Sequence, residues 1–292
     1  MRRGAKLLDA RCPIEWSHPL NRGLEANWAV PPLSGWRGAL VLRDLVRGGK
    51  APNDGTFSGA VTWAGHSHTG GNGSLQFGGA STDHIQLWTS SVLPIAGKAA
   101  SAAVWFKPTG SLTSFQTILD WGSGSSNRMF SLFLGGNPNQ LWVAIANTTG
   151  TDINLTQSWL ANTWQHLAVT CDGSNVAVYR NGQNIGSGNV GTGNIGPGMT
   201  FAPFQWGGNP SGGGQPFQGY QDDLIVYNRA LSSADVAALY DQARRGNPDR
   251  WRWLRRVTYF VGSSSPPTTT LFRRTMSRRT GSRSPALSGR GM

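Results

Sequence analysis

The chemistry open to this 292-residue chain is bounded by its acids. Retaining glycoside cleavage needs two carboxyl groups roughly 5 Å apart, one serving as acid and the other as nucleophile. The two glutamates, Glu15 and Glu25, both stand in a basic, irregular front segment. Asp222 and Asp223 are adjacent, and neighbouring side chains on a strand point to opposite faces, so the spacing predicts no acid and nucleophile pair there. His66 and His68 have no Cys or Glu beside them, and Asp83-His84 has no Ser or Cys nucleophile at a familiar spacing; solvent-exposed loop histidines are expected. No Gly-x-x-x-x-Gly-Lys-Ser/Thr phosphate loop occurs. The expectation is a protein that binds and does not catalyse.

Sugar binding asks for a different set of residues, an aromatic face for the C–H side of a pyranose and nearby amides for its hydroxyls. In LWVAIAN, alternation puts Leu141, Val143 and Ile145 inward and turns Trp142 outward. Trp121 in ILDWGSG and Trp206 in FQWGGNP stand where strands enter Gly-rich loops, and Asn209 follows Trp206 closely. These four are the candidate glycan-binding residues, with core packing as the alternative role for any one of the tryptophans. The same alternation groups Asp222 with Leu224 and Val226 on an inward face. A carboxylate there needs a backbone donor, an Arg or a hard cation such as Ca2+ to offset its burial.

The elements that must position these residues are short strands. Forty glycines, 16 prolines and 13 tryptophans, with only 14% charged residues, speak against a helical bundle or coiled coil. From about residue 56, alternating segments such as SLQFGG, HIQLWTS, ASAAVWFKP, FQTILDWG, MFSLFLGG, WQHLAVTCDG and DDLIVYN are divided by Gly, Asn and Ser. That spacing predicts an antiparallel sandwich. VAVYRNGQNI predicts a tight hairpin through Asn181-Gly182, since that pair tolerates positive φ at both central positions. One helix is expected in LSSADVAALYDQARRG, capped by Ser232 or Ser233 and closed by Arg244, Arg245 and Gly246. Cys171 shares a face with Leu167 and Val169, which predicts a buried, inert thiol, and far-off Cys12 offers no disulfide framework.

Charge divides the chain further. The net charge of +12 is the balance of nine Lys/Arg and four acids in residues 1–50, five and nine in 51–243, and twelve Arg and one acid in 244–292. A mildly acidic body thus carries basic ends. The expected organisation is a Trp- and Pro-containing arm over 1–39, a β domain over 40–243 and an Arg-rich tail over 244–292. The tail residues Trp251, Arg252, Trp253, Arg255, Arg256, Arg273 and Arg274 are the candidate anchoring set. Interleaved Arg and Trp suit phosphate neutralisation with base stacking, or an acidic groove on a protein partner; a protein assembly is the reading taken, with nucleic acid as the alternative. No run approaches the ~20 apolar residues of a membrane span. MRRGAKLLDARCPIEW lacks the apolar core of a secretory signal, so none is expected.

Several segments together carry a family resemblance: RDLVRGGKAPNDGTFSGAVTW, SLQFGGASTDHIQL, SAAVWFKP, TWQHLAVTCDGSNVAVYRNG, WGGNP and FQGYQDDLIVYNRALSSADVAALY. In their order they resemble the laminin-G-like, concanavalin A-like modules of lectins and adhesion proteins, over about residues 40–243. The resemblance implies an all-β fold, a two-sheet antiparallel jelly roll with ligands bound at a loop edge or on the concave sheet. It also implies that related modules often hold calcium between an early Asp loop and the Asp222 region. Here the early position is Asp44, and Leu-Val-Arg-Gly-Gly-Lys follows it in place of the family's Ser-Gly-Asn-Gly-Asn pattern. Asp44 and Asp222 are the candidate Ca2+ ligands, against local capping of backbone amides by Asp222. Modules with extra arms and no secretion signal are similar to some bacteriophage virion proteins. The combined expectation is a non-catalytic display or decoration protein, held to capsid or other virion proteins by its basic arms, whose jelly roll binds glycans. A free lectin is the alternative, and a polysaccharide-degrading enzyme the last choice.

Overall fold

The computed structural model describes residues 20, 22, 24–28, 41–42, 54–65, 68, 73–87, 99–109, 115–123, 127–135, 140–147, 153–156, 159–189, 204–208 and 215–244. The chain divides into Met1–Val257 and Thr258–Met292, and every described element belongs to the first. The candidate residues Asp44, Asn209, Trp251, Arg252, Trp253, Arg255, Arg256, Arg273 and Arg274 lie outside the described residues, as does His66.

Among the described residues there are sixteen strands and one helix. In chain order the strands are β1 (Leu24–Trp28), β2 (Val41–Leu42), β3 (Gly55–Ser58), β4 (Thr62–Ala64), β5 (Ser74–Gly78), β6 (His84–Leu87), β7 (Ala100–Pro108) and β8 (Gln116–Ser123). They continue with β9 (Asn127–Leu134), β10 (Gln140–Asn147), β11 (Ile153–Thr156), β12 (Gln165–Cys171), β13 (Asn175–Arg180), β14 (Gln183–Asn189), β15 (Phe204–Trp206) and β16 (Gln218–Tyr227), and helix α1 (Ser233–Arg244) follows. One antiparallel sheet runs β14-β13-β12-β7-β16-β5-β4, with β1 added to β16. The other runs β11-β10-β9-β8-β15-β6-β3-β2. This is the antiparallel sandwich that the alternation predicts, in the jelly-roll form that the resemblance implies.

The two sheets bury their facing side chains against each other. Leu75, Phe77, Val104, Phe106, Leu167, Val169, Cys171, Val178, Leu224 and Val226 from the first sheet meet Ile85, Leu87, Ile118, Leu132, Leu134, Leu141, Val143 and Trp206 from the second. Cys171 is fully buried, and burial pushes its thiol pKa up, so it packs as a small apolar group. The β13–β14 hairpin turns through Asn181 (φ 51°) and Gly182 (φ 80°), both left-handed as the sequence predicts.

The first sheet is covered on its outer face as well. Leu231, Val236 and Leu239, from α1 and its lead-in, join Leu20 and Leu24 over Ala103, Ala168, Tyr179 and Tyr227. Ser232 caps the helix: its Oγ accepts from Asp235 N at 3.1 Å, and Asp235 Oδ2 accepts from Ser232 N at 3.1 Å. The Arg229 guanidinium donates to the same carboxylate at 2.9 Å, which ties the helix start to the end of β16.

Candidate functional site

Outward side chains along β7 divide the outer face of the first sheet into three zones. Ala103 lies under the helix, Trp105 in a buried middle and Lys107 at the open end. In the middle zone His166, Trp105 and Asp222 form one row across β12, β7 and β16. His68, from the turn after β4, stacks on Trp105 with ring centroids 4.3 Å apart and planes 11° from parallel. Its Nδ1 lies 2.7 Å from Asp222 Oδ2, and its Nε2 lies 3.7 Å from Asp223 Oδ2. Tyr240 of α1 stacks on Trp105 from the helix side at 5.6 Å, and the Trp164 edge approaches His68 at 6.1 Å.

Three expectations are corrected here. Asp222 does not share the inward face of Leu224 and Val226, because the pairing of β16 with β7 slips between Asp222 and Ile225, and Asp223 takes φ 48°. That bulge spends one residue out of alternation, so Asp222 faces outward while Leu224 faces in. The two aspartates therefore do not diverge; both converge on one imidazole. His68 is not an exposed loop histidine, since its side chain is 0% exposed. The contact spans 154 residues of sequence, so no local pattern announces it.

His68, Asp222 and Asp223 form a group of metal-ligating type, with ligand atoms within 4.8 Å of one another. Among the described residues, which do not include Asp44, the fit to calcium is poor. Ca2+ takes six to eight oxygen ligands, whereas here an imidazole occupies the space between the carboxylates. The ring also addresses Asp222 through one nitrogen and Asp223 through the other, on different sides, which suits a doubly donating imidazolium better than a single ion shared by all three. Nearby, His166 is buried, and burial together with the charge of His68 holds its pKa down to about 3. Asp83, by contrast, caps backbone amides, accepting from Ala60 N at 2.8 Å and Ala80 N at 3.1 Å.

The tryptophan candidates separate. Trp206 is fully buried in the inter-sheet core, where its Nε1 donates to Gln221 Oε1 at 2.6 Å, so it cannot serve as a sugar platform. Trp121 lies on β8, opposite Phe204 and Phe130, and its side chain is outside the described residues. Trp142 points away from the core, between fully buried Leu141 and Val143, and is half-buried. Phe115 meets it edge to face at 4.9 Å and 79°, and Trp142 Nε1 donates to Gln140 Oε1 at 3.3 Å. Opposite Trp142 on β11 stands exposed Asn154, and exposed Thr156 stands opposite Gln140. Asn154 and Thr156 were legible as the outward set of INLT, since Ile153 and Leu155 pack on the core.

Known proteins share this architecture. The receptor-binding domain of a botulinum neurotoxin C/D mosaic serotype superposes with a TM-score of 0.57 at 13% identity, covering 75% of this chain and 51% of that one. The binding domain of Paraclostridial mosquitocidal protein 1 gives 0.54 at 13% identity, covering 74% and 52%. Domain 4 of AbnA, a GH43 extracellular arabinanase from Geobacillus stearothermophilus solved with arabinotriose, gives 0.50 at 22% identity, covering 74% and 98%. The chain spans about half the length of the two toxin chains. At these identities the likeness shows the fold alone. No curated protein sequence matches the chain. The signature described as "Concanavalin A-like lectin/glucanases superfamily" matches residues 52–237, well over half of the sequence, and the chain belongs to that superfamily.

Proposed function

We propose that this protein is a non-catalytic glycan-binding module, with its primary platform at Trp142. The observation that carries the reading is the pairing of an outward indole with an exposed amide, Trp142 opposite Asn154, at the β10–β11 end of the second sheet. Phe115 and Gln140 fix the indole plane before any ligand arrives, which reduces the ordering cost of binding. Asn154 and Thr156 then supply donors and acceptors to the hydroxyls of a stacked pyranose. Against catalysis, the convergent carboxylates Asp222 and Asp223 lie buried beside His68, where a scissile bond has no access.

The charge split supports a second part of the reading, display of the module on a larger assembly, such as capsid or other virion proteins, through the basic ends. Nucleic acid is the other partner that the arginines suit.

Glycan-array binding of the full chain, followed by titration calorimetry, tests the platform. Binding of neutral oligosaccharides is expected, with Trp142→Ala and Asn154→Ala each weakening it about tenfold or more at unchanged melting temperature. No retained glycan, or full affinity in both variants, overturns it.

A further inference from the structure

We infer that the open end of the first sheet's outer face is a second, separate binding strip, and that its ligand is a carboxylate-bearing sugar residue. The argument starts from register. Lys107 on β7 pairs with Tyr220 on β16, Tyr220 pairs with Gln76 on β5, and Gln76 pairs with Thr62 on β4. Trp164, the residue before β12, closes the row, 6.5 Å from Tyr220. All point outward, because Phe106, Leu75, Phe77 and Gln221 on the same strands point into the core, Gln221 to bond Trp206. At ~4.8 Å between strands the row is about 19 Å long, enough for more than one sugar ring.

Its composition is specific. Two half-buried aromatic rings, Trp164 and Tyr220, offer stacking faces, and exposed Gln76 and Thr62 offer hydrogen-bonding groups. Between the rings stands the strip's only charge: Lys107 Nζ lies over the Tyr220 ring, 5.4 Å from its centroid. Among the described residues Lys107 forms no ion pair. Asp222 and Asp223, on the same strand as Tyr220, are turned toward His68. A half-buried ammonium flanked by aromatic faces favours a ligand that brings an apolar C–H surface and an anion together. A uronic or sialic acid residue does both; a neutral sugar leaves the ammonium without a counter-charge.

The backbone is shaped for the same strip. Gly219 precedes Tyr220 with φ 142°, and a Cβ there would run into Lys107 O and Pro108 Cα. Only glycine allows β16 to lie this close to β7 at that point, which sets Tyr220 beside Lys107.

The strip rests on the glycan-binding reading above but uses the opposite face of the sandwich, so the two fail separately. The test is calorimetry on the full chain with galacturonate, glucuronate and sialyl oligosaccharides, each against its carboxyl-reduced, neutral counterpart. At least one acidic form is expected to bind tenfold or more tightly than its reduced counterpart. Lys107→Met, which keeps the aliphatic stem, removes that preference at unchanged melting temperature; Lys107→Arg keeps it, and Trp142→Ala leaves it intact. No preference for any acidic form, a preference that survives Lys107→Met, or one lost in Trp142→Ala overturns the strip. Loss of neutral-sugar binding in Trp142→Ala concerns the platform alone.

Discussion

The His68 imidazole lies flat on the Trp105 indole, 4.3 Å between centroids, while its two nitrogens face two different carboxylates. The imidazole thus occupies the space between the two carboxylates, one of which, Asp222, the resemblance offers as a calcium ligand. Removing it takes away the partner that both buried carboxylates share, which is the costly way to break such a contact. His68→Ala is expected to lower stability by roughly 3–5 kcal/mol in denaturant titration.

Calcium sensitivity follows from the same geometry. Millimolar Ca2+ or EDTA is expected to leave the melting temperature of the natural chain unchanged, because the imidazole already compensates the carboxylates. In His68→Ala the vacated space beside two carboxylates admits a hard cation, so Ca2+ there raises the melting temperature. A calcium-dependent shift in the natural chain would be the contrary result.

His166 makes stability depend on acid. In the folded protein its pKa sits near 3, held there mainly by burial, against 6.5 for an ordinary histidine. Between those values the unfolded chain binds a proton that the folded chain refuses, so stability falls as pH drops from about 6.5 towards 3, and is unaffected by this group above 6.5. Among the other titratable groups near it, Tyr240 from α1 packs at 5.9 Å and His68 adds its charge. Replacing His166 with Phe removes this proton uptake and should flatten melting temperature against pH across that window, with little change at pH 7.

The strands and the helix were legible because each declares itself locally. Leu141, Trp142 and Val143 alternate as a half-buried strand must, and Ser232 stands three residues before Asp235 as a cap must. The middle of the outer face was not legible, for two physical reasons. Alternation carries no mark of a bulge, so it assigns Asp222 to the inner face, and only the slip at Asp223 turns it outward. His68 acquires its role only when the turn after β4 meets β16, a contact no window of sequence contains. For Trp206 the pattern leaves platform and core roles undivided, because β15 has three residues, Phe204 to Trp206, too few to show a period.

The cap itself gives a graded test of the helix that covers the sheet. Ser232→Ala leaves the Asp235 amide without its acceptor and should cost about 1 kcal/mol. Asp235→Asn, which keeps an acceptor but weakens the bond from Arg229, should cost less.

Trp206 offers the sharpest separation between a structural and a sugar-binding indole. It is fully buried, and its Nε1 bonds to Gln221 across the sandwich. Trp206→Ala opens a large cavity between the sheets and strands the Gln221 acceptor, for an expected loss of about 3–5 kcal/mol. Trp206→Phe fills most of the space but still breaks the hydrogen bond, so it should be milder. Because the ring never reaches solvent, glycan affinity measured on the folded Trp206→Phe variant should equal that of the natural chain, whereas Trp142→Phe, which loses the bond to Gln140, should weaken it. Equal loss in both phenylalanine variants would mean that the core indole shapes the platform, which the 2.6 Å bond to Gln221 gives no reason to expect.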